Sequence, residues 1–113
     1  MHYRKLGRTS LEVSEIGLGT EYLVKQSEET IIETVESALN SGVNYFDILM
    51  FYPHFLNAFR QLISVNRDKM ILAVHLGAGM KNGKHKKARS KKKARESFNN
   101  VKSELGIDFA DIV

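Results

Sequence analysis

The sequence of 113 residues contains no cysteine. This absence excludes disulfide bonds, thiol catalysis and a cysteine-ligated metal or iron–sulfur centre within the chain. Long apolar runs are also missing, and no apolar run follows the basic residues Arg4, Lys5 and Arg8 near the N-terminus. The sequence therefore predicts neither a membrane span nor a secretory signal. We expect a cytoplasmic protein without a membrane partner.

Acidic residues are absent from one segment, residues 81–95, which holds nine of the seventeen Lys and Arg residues. The remainder of the chain carries eight basic and thirteen acidic residues, so the net charge of +4 is a local feature. The segment could bind phosphates or nucleic acid, but it lacks interleaved aromatic side chains. We favour a solvated basic loop at residues 81–93 and expect no nucleic-acid partner.

The sequence patterns of metal sites and of glycine-rich phosphate-binding loops are also absent. The four histidines, His2, His54, His75 and His85, have no ligand-like spacing, so no metal site is predicted. The glycines at positions 17, 19, 77 and 79 form neither a G-x-G-x-x-G nor a Walker-A pattern. Any function must therefore come from other side chains.

The order of the apolar segments predicts an α/β fold. Residues 1–15 are typical of a β-hairpin, and short apolar runs at 16–19, 43–50, 70–75 and 109–113 are typical of buried strands. Helices are predicted from the Ser27 cap to Gly42, from Pro53 to about residue 65, and over about 94–105. Alternating strands and helices imply right-handed crossovers and a parallel sheet.

Polar side chains stand where these predicted strands end. Asp47 and Tyr52 lie at and after the end of the second strand, and His75 ends the third. Active sites of barrel and open α/β enzymes are built at the carboxyl ends of strands, so these positions indicate chemistry. Structural roles are the alternative: a helix cap for Asp47, a half-buried loop aromatic for Tyr52 and a hydrogen-bonded core histidine for His75.

Four segments resemble one protein family. The segments 3–9 (YRKLGRT), 13–20 (VSEIGLGT) and 42–47 (GVNYFD) look like the opening of an aldo-keto reductase, and 105–112 (LGIDFADI) is similar to that family's fourth-strand signature. The resemblance covers essentially the whole chain. It implies a single domain over residues 1–113 that consists of an N-terminal hairpin and the first half of a (β/α)8 TIM barrel, whose typical length is roughly 250 residues.

The resemblance also implies a chemistry. The family moves hydride between a nicotinamide cofactor, here expected to be NADP, and a small-molecule carbonyl substrate. Its Asp and its proton-donating Tyr correspond to Asp47 and Tyr52, while His75 stands where the family usually has Lys. Gly19 and Thr20, together with Asp47, would lie beneath the nicotinamide. A histidine at this position resembles a divergent group of the family, in which the Tyr position is itself variable.

The presence of His75 where the family usually has Lys has a physical consequence. A tyrosine hydroxyl is a weak acid near neutral pH and gains from a permanent positive charge nearby, whereas an ordinary imidazole is mostly neutral at pH 7. His75 could instead donate a hydrogen bond to a carbonyl oxygen. The family's catalytic His would come three residues after Val113. We therefore expect the 113-residue half-barrel to be inactive alone. The alternative is a non-catalytic remnant or interaction module that forms a homo-oligomer through open barrel edges.

Overall fold

The computed structural model describes all residues from 1 to 113. Its seven strands are β1 (Tyr3–Lys5), β2 (Glu12–Ser14), β3 (Leu18–Gly19), β4 (Tyr45–Ile48), β5 (Ile71–Val74), β6 (Ala78–Lys81) and β7 (Lys84–Lys87). Its three α-helices are α1 (Glu28–Asn40), α2 (Pro53–Asn66) and α3 (Lys91–Leu105). Short 3-10 turns occupy Leu23–Lys25 and Arg67–Lys69. None of the helices combines the length and apolarity needed to span a bilayer.

A parallel sheet of order β3-β4-β5 forms the centre of the molecule. Gly19 is in register with Asp47, and Asp47 with Ala73. The predicted fourth strand is reduced to one parallel bridge between Ala73 and Ile112. The expected parallel βαβ architecture is thus confirmed, and its strands form an open sheet and not a closed barrel.

Alternation along β4 and β5 separates the two faces of this sheet. Phe46, Ile48, Leu72 and Val74 are almost completely buried on the face covered by the helices. There Phe46 meets the ring of Phe59 edge-on, with 6.5 Å between centroids. Tyr45 and Asp47, which point the opposite way, are only half-buried. One face of the sheet therefore makes the core, and the other remains open.

The first two helices follow their predicted patterns. The Ser27 hydroxyl accepts a hydrogen bond from the Thr30 amide at 3.2 Å, which caps α1. Pro53 begins α2, because its fixed φ suits the first helical turn and its missing amide hydrogen is not needed there. The apolar stripes of α1 and α2 are buried in one common core together with the inward residues of α3.

The N-terminal hairpin is joined to the start of β4 by Asn44. The Asn44 side chain accepts a hydrogen bond from the Ser14 amide and donates one to the Glu12 carbonyl, both at 2.8 Å. The Asn44 amide in turn donates to the Ser14 hydroxyl at 3.1 Å. Because these bonds connect residues some 30 positions apart in sequence, the hairpin is held against the amino end of the sheet.

The basic segment was wrongly predicted to be a loop. Its first part is an antiparallel β6–β7 hairpin with a two-residue turn at Asn82 and Gly83, both of which have positive φ (52° and 70°). These angles are those of a type I′ turn, for which Asn-Gly is the preferred sequence. The charge of the segment hid this signal, since lysine is uncommon in strands.

Helix α3 begins at Lys91, three residues before the predicted start at Ala94. The Ser90 hydroxyl accepts from the Lys93 amide at 3.3 Å and caps the helix. The apolar residues of this helix, Phe98, Val101 and Leu105, lie well after the first turn, whose lysines oppose the helix dipole, so the apolar pattern alone does not mark the start. Eight of the thirteen residues of the predicted basic loop, 81–93, therefore belong to strands or to α3.

The packing of the hairpin gives a test of the fold. Gly7 and Gly42 both have positive φ, but a Cβ at Gly42 would stand 2.9 Å from the Met1 Cβ and 3.0 Å from the Tyr3 hydroxyl, whereas Gly7 has open space. We expect Gly7→Ala to cost about 1 kcal/mol of unfolding free energy through backbone strain alone. Gly42→Ala should cost at least about 1 kcal/mol more, because the hairpin must also shift.

Urea unfolding of the two variants, followed by circular dichroism, measures this difference. Equal losses for Gly7→Ala and Gly42→Ala would contradict a hairpin packed tightly against the α1–β4 connection.

Candidate active site

Three sequence-predicted residues meet at the carboxyl edge of the parallel sheet. Thr20 follows β3, Asp47 lies within β4, and His75 follows β5. Since the strands run parallel, their carboxyl ends open on the same side. The residues are distant in sequence, and the sheet register alone brings them together.

Asp47 and His75 form a direct side-chain pair. The Asp47 Oδ1 atom lies 2.8 Å from the His75 Nε2 atom, and the two side chains are 38% and 45% exposed. A carboxylate only accepts hydrogen bonds, so Nε2 carries the proton in this arrangement. The Nδ1 atom of His75 is then an acceptor in neutral imidazole and a donor only in imidazolium.

Thr20 forms hydrogen bonds to the backbone of the site. Its side chain is fully buried, and its hydroxyl donates to the main-chain carbonyl of Asp47 at 2.7 Å. Its amide donates to the same carbonyl oxygen at 3.1 Å. The Thr20 hydroxyl therefore fixes the position of Asp47 and does not point at solvent.

The open face of the sheet forms a shallow cavity of about 460 Å³ that is lined by Asp47 but not by His75. Its lining comes from the hairpin and from the strands: Leu6, Val13, Ser14, Glu15, Gly17, Gly19, Tyr45, Asp47 and Ile112. The two charged residues of the lining, Glu15 and Asp47, are both acidic, and Glu15 is ion-paired with Arg4. A Cβ at Gly19 would have no atom within 4 Å, so the backbone is accessible from the cavity.

Tyr52 is not part of the hydrogen-bonded pair. It is the residue that precedes α2, it is half-buried against the core, and its ring centroid lies 6.3 Å from that of His54. Its hydroxyl makes no hydrogen bond to Asp47 or His75 within the chain. The structure therefore brings Gly19, Thr20, Asp47 and His75 together and leaves Tyr52 on the neighbouring loop.

Two residues of the site region were not identified from sequence. Tyr45 lines the cavity two residues before Asp47, on the same face of β4, and Asn44 connects that strand to the hairpin. The period-two alternation of a strand was sufficient to place Tyr45 beside Asp47. Nothing in the sequence indicated the long-range partners of Asn44. No group of three or more His, Cys, Asp or Glu side chains is arranged to hold a metal ion.

Comparison with known proteins assigns the chain to a family. The model of the Aldo/keto reductase family matches residues 15–113. This chain belongs to the aldo/keto reductase family.

Individual relatives agree with that assignment. The uncharacterized oxidoreductase YrpG of Bacillus subtilis (strain 168) is 39% identical over 59 residues, which are 51% of this chain and 18% of that protein. The aldo-keto reductase AKR11C1 of Bacillus halodurans, in its holo form, superposes with a TM-score of 0.83 at 25% identity. PA4992 of Pseudomonas aeruginosa superposes with a TM-score of 0.75 at 23% identity, a likeness that shows the shared fold.

The structural matches cover nearly all of this chain but less than half of each solved structure. The superpositions cover 97% and 96% of this chain but only 38% and 44% of the two solved structures. The chain thus has the fold of part of an aldo-keto reductase TIM barrel and spans less than half the length of these relatives.

The different burial of Thr20 and of the Asp47–His75 pair predicts different effects on stability. Thr20→Val keeps the shape but removes a buried donor, so we expect a loss of about 1 kcal/mol in unfolding free energy. Asp47→Asn and His75→Gln should each change it by less than about 0.5 kcal/mol, because the pair is exposed to solvent. Chemical denaturation measures all three. A larger loss in the last two variants would indicate that the pair has a structural role.

Proposed function

We propose that this chain carries the nicotinamide side of the active site of an NAD(P)H-dependent oxidoreductase that reduces carbonyl compounds. The observation that carries the proposal is the Asp47–His75 hydrogen bond beside Gly19 at the carboxyl edge of the sheet, in a chain of this family. The general oxidoreductase class is shared with YrpG and AKR11C1. The finer assignment, to carbonyl reduction with NADP, rests on the resemblance in sequence.

The cavity fits the nicotinamide end of such a cofactor. The open backbone at Gly19 allows close approach of a flat ring, and the Asp47 carboxylate accepts hydrogen bonds from hydroxyl or amide groups. The cofactor, when bound, supplies the hydride. Phosphates fit this face poorly because Asp47 is negative and no basic side chain lines the cavity, so we expect the pyrophosphate to be held by residues outside it.

The chain's own residues then act on the carbonyl oxygen. Asp47 holds the imidazole of His75 through Nε2, which leaves Nδ1 as the ring atom that can face a substrate. In the imidazolium form Nδ1–H donates a hydrogen bond to a carbonyl oxygen, which stabilises the negative charge that develops there. Tyr52 is the second candidate proton donor, since its hydroxyl is not engaged by Asp47 or His75.

The test combines turnover with binding. We expect the 113-residue chain to oxidise NADPH or NADH with aldehydes and ketones at a rate near background, because neither the cavity nor His75 offers a permanent cation. Reduced nicotinamide mononucleotide, in contrast, should shift the amide NMR signals of Gly19, Thr20 and Asp47. ADP-ribose, which has the phosphates without the nicotinamide, should leave those signals unchanged.

Two variants control this experiment. Asp47→Asn should weaken the response to reduced nicotinamide mononucleotide several-fold, and Asp108→Asn, an exposed change outside the cavity, should not alter it. The absence of any shift at Gly19 and Asp47 would contradict the proposed site. Robust turnover that is lost in Tyr52→Phe would show that Tyr52, and not His75, is the acid, and that the chain is sufficient for catalysis.

A second candidate function is an interaction module that forms homo-oligomers. It is favoured by the outer edge of β3, which pairs with no further strand, and by exposed apolar side chains near both ends of the sheet. Ile16, Phe109 and Val113 are 64%, 61% and 66% exposed. Unpaired strand edges and apolar surface both favour association with a second copy.

Sedimentation of the 113-residue chain at micromolar concentration tests this candidate. We expect a dimer or higher oligomer that dissociates more readily when Ile16 and Phe109 are both replaced by Ser. The matched control is Val65→Ser, because Val65 is 73% exposed on the outer face of α2, away from the sheet edges. Sedimentation of the chain as a folded monomer would contradict a function as a homo-oligomeric interaction module.

A further inference from the structure

A second cavity lies outside the candidate active site. It has a volume of about 560 Å³ and is formed by the β6–β7 hairpin, the start of α2 and one side of α3. No residue that lines the Asp47 cavity also lines this one. The basic segment 81–95 contributes five of its fifteen lining residues.

The floor of this cavity is apolar. Phe51, Leu56 and Val101 contribute to it, and these residues are only 6%, 3% and 2% exposed. Met80, on β6, is partly buried against the same core and extends the apolar surface toward the hairpin. A floor of this composition favours an aromatic or aliphatic group.

The rim is positively charged. Lys81, Lys86, Lys87 and Lys93 line it, against two acidic residues, Glu96 and Glu104. None of the four lysines belongs to an ion pair of the structure, while Glu96 lies 4.0 Å from Lys92, a lysine outside the cavity. The ammonium groups of these four lysines therefore remain available to an anion.

From this combination we propose that the cavity between the β6–β7 hairpin, α2 and α3 is a binding site for a small organic anion. The ligand has an apolar ring or chain that contacts Phe51, Leu56 and Met80, and a phosphate or carboxylate group that the rim lysines hold. Both parts of the ligand are needed for full binding. An inorganic anion makes no contact with the apolar floor, and a neutral ring makes no ion pair with the lysines.

The site adjoins the loop that carries Tyr52. Phe51 and Pro53, the residues on either side of Tyr52, both line the cavity. A bound anion therefore contacts the chain directly beside this tyrosine, at a place separate from the Asp47 cavity.

An NMR titration of the 113-residue chain with three probes tests the proposal. Phenyl phosphate, which has both parts, should bind saturably and shift the amide signals of Gly79, Met80, Ser97 and Asn100. Inorganic phosphate and benzyl alcohol, which each have one part, should bind at least about tenfold more weakly. Raising the ionic strength from about 0.01 M to about 0.15 M shortens the screening length from about 30 Å to about 8 Å and should weaken phenyl phosphate binding.

Matched lysine variants locate the site. Lys86→Gln and Lys93→Gln should each weaken phenyl phosphate binding about threefold, as expected for partly exposed charge pairs. Lys84→Gln, on the same strand as Lys86 but outside the cavity, should leave it unchanged. Met80→Gln should reduce the advantage of phenyl phosphate over inorganic phosphate. All four side chains are at least partly exposed, so the variants should keep the amide spectrum of the folded chain.

Three results would overturn the proposal. Equal affinity for phenyl phosphate and inorganic phosphate would show that the apolar floor contributes nothing. Equal affinity for phenyl phosphate and benzyl alcohol would show that the lysines contribute nothing. Unsaturable shifts spread along residues 81–95, equally reduced by Lys84→Gln and Lys86→Gln, would show that the basic segment attracts anions without a defined site.

Discussion

Burial of Phe46 and Ile48 beneath the helices is the constraint on which the rest of this structure depends. Successive side chains of a strand point to opposite faces, so once these two residues enter the core, Asp47 must point to the open face. A shift of one residue in register would bury the carboxylate without a partner and expose two large apolar side chains. Packing of the core thereby determines the orientation of the candidate catalytic group.

The same core explains why the site combines a rigid base with exposed side chains. Thr20 is fully buried and donates twice to the backbone of Asp47, through its hydroxyl and through its amide. The carboxylate of Asp47 and the imidazole of His75 nevertheless remain open to solvent. A fixed backbone with accessible side chains is suited to chemistry, because the reacting groups are positioned without being sealed from a ligand.

Charge is divided between two regions of the molecule. The Asp47 cavity contains only acidic charge, whereas the cavity between the β6–β7 hairpin and α3 has a lysine rim. Phosphate groups therefore favour the second region electrostatically, whereas the lining of the first offers them no cation. Within this aldo/keto reductase chain, the two surfaces are distinguished by the sign of their charge as much as by their shape.

The sequence by itself determined the parts that depend on local patterns. The stripes of α1 and α2, the Ser27 cap, Pro53 at the start of α2 and the parallel order of the strands all follow from spacing and from residue type. The motifs around Asp47 and the segment 105–112 were sufficient to indicate the family. Asp47 and His75 were identified as candidates because they stand where predicted parallel strands end, and Thr20 because of the family resemblance.

Tertiary structure alone decided how these residues interact. The Asp47–His75 hydrogen bond and the bond from the Thr20 hydroxyl to the Asp47 carbonyl depend on register and packing between distant segments. The same packing leaves Tyr52 outside the hydrogen-bonded pair. In the basic segment, composition outweighed the Asn82-Gly83 turn. The pairing of β6 with β7 and the packing of this hairpin against α3, where Ser97 donates to the Ala78 carbonyl, came from the tertiary structure. Local propensity is a weak guide wherever long-range contacts supply the larger free energy, and this is the reason the second cavity could not be foreseen.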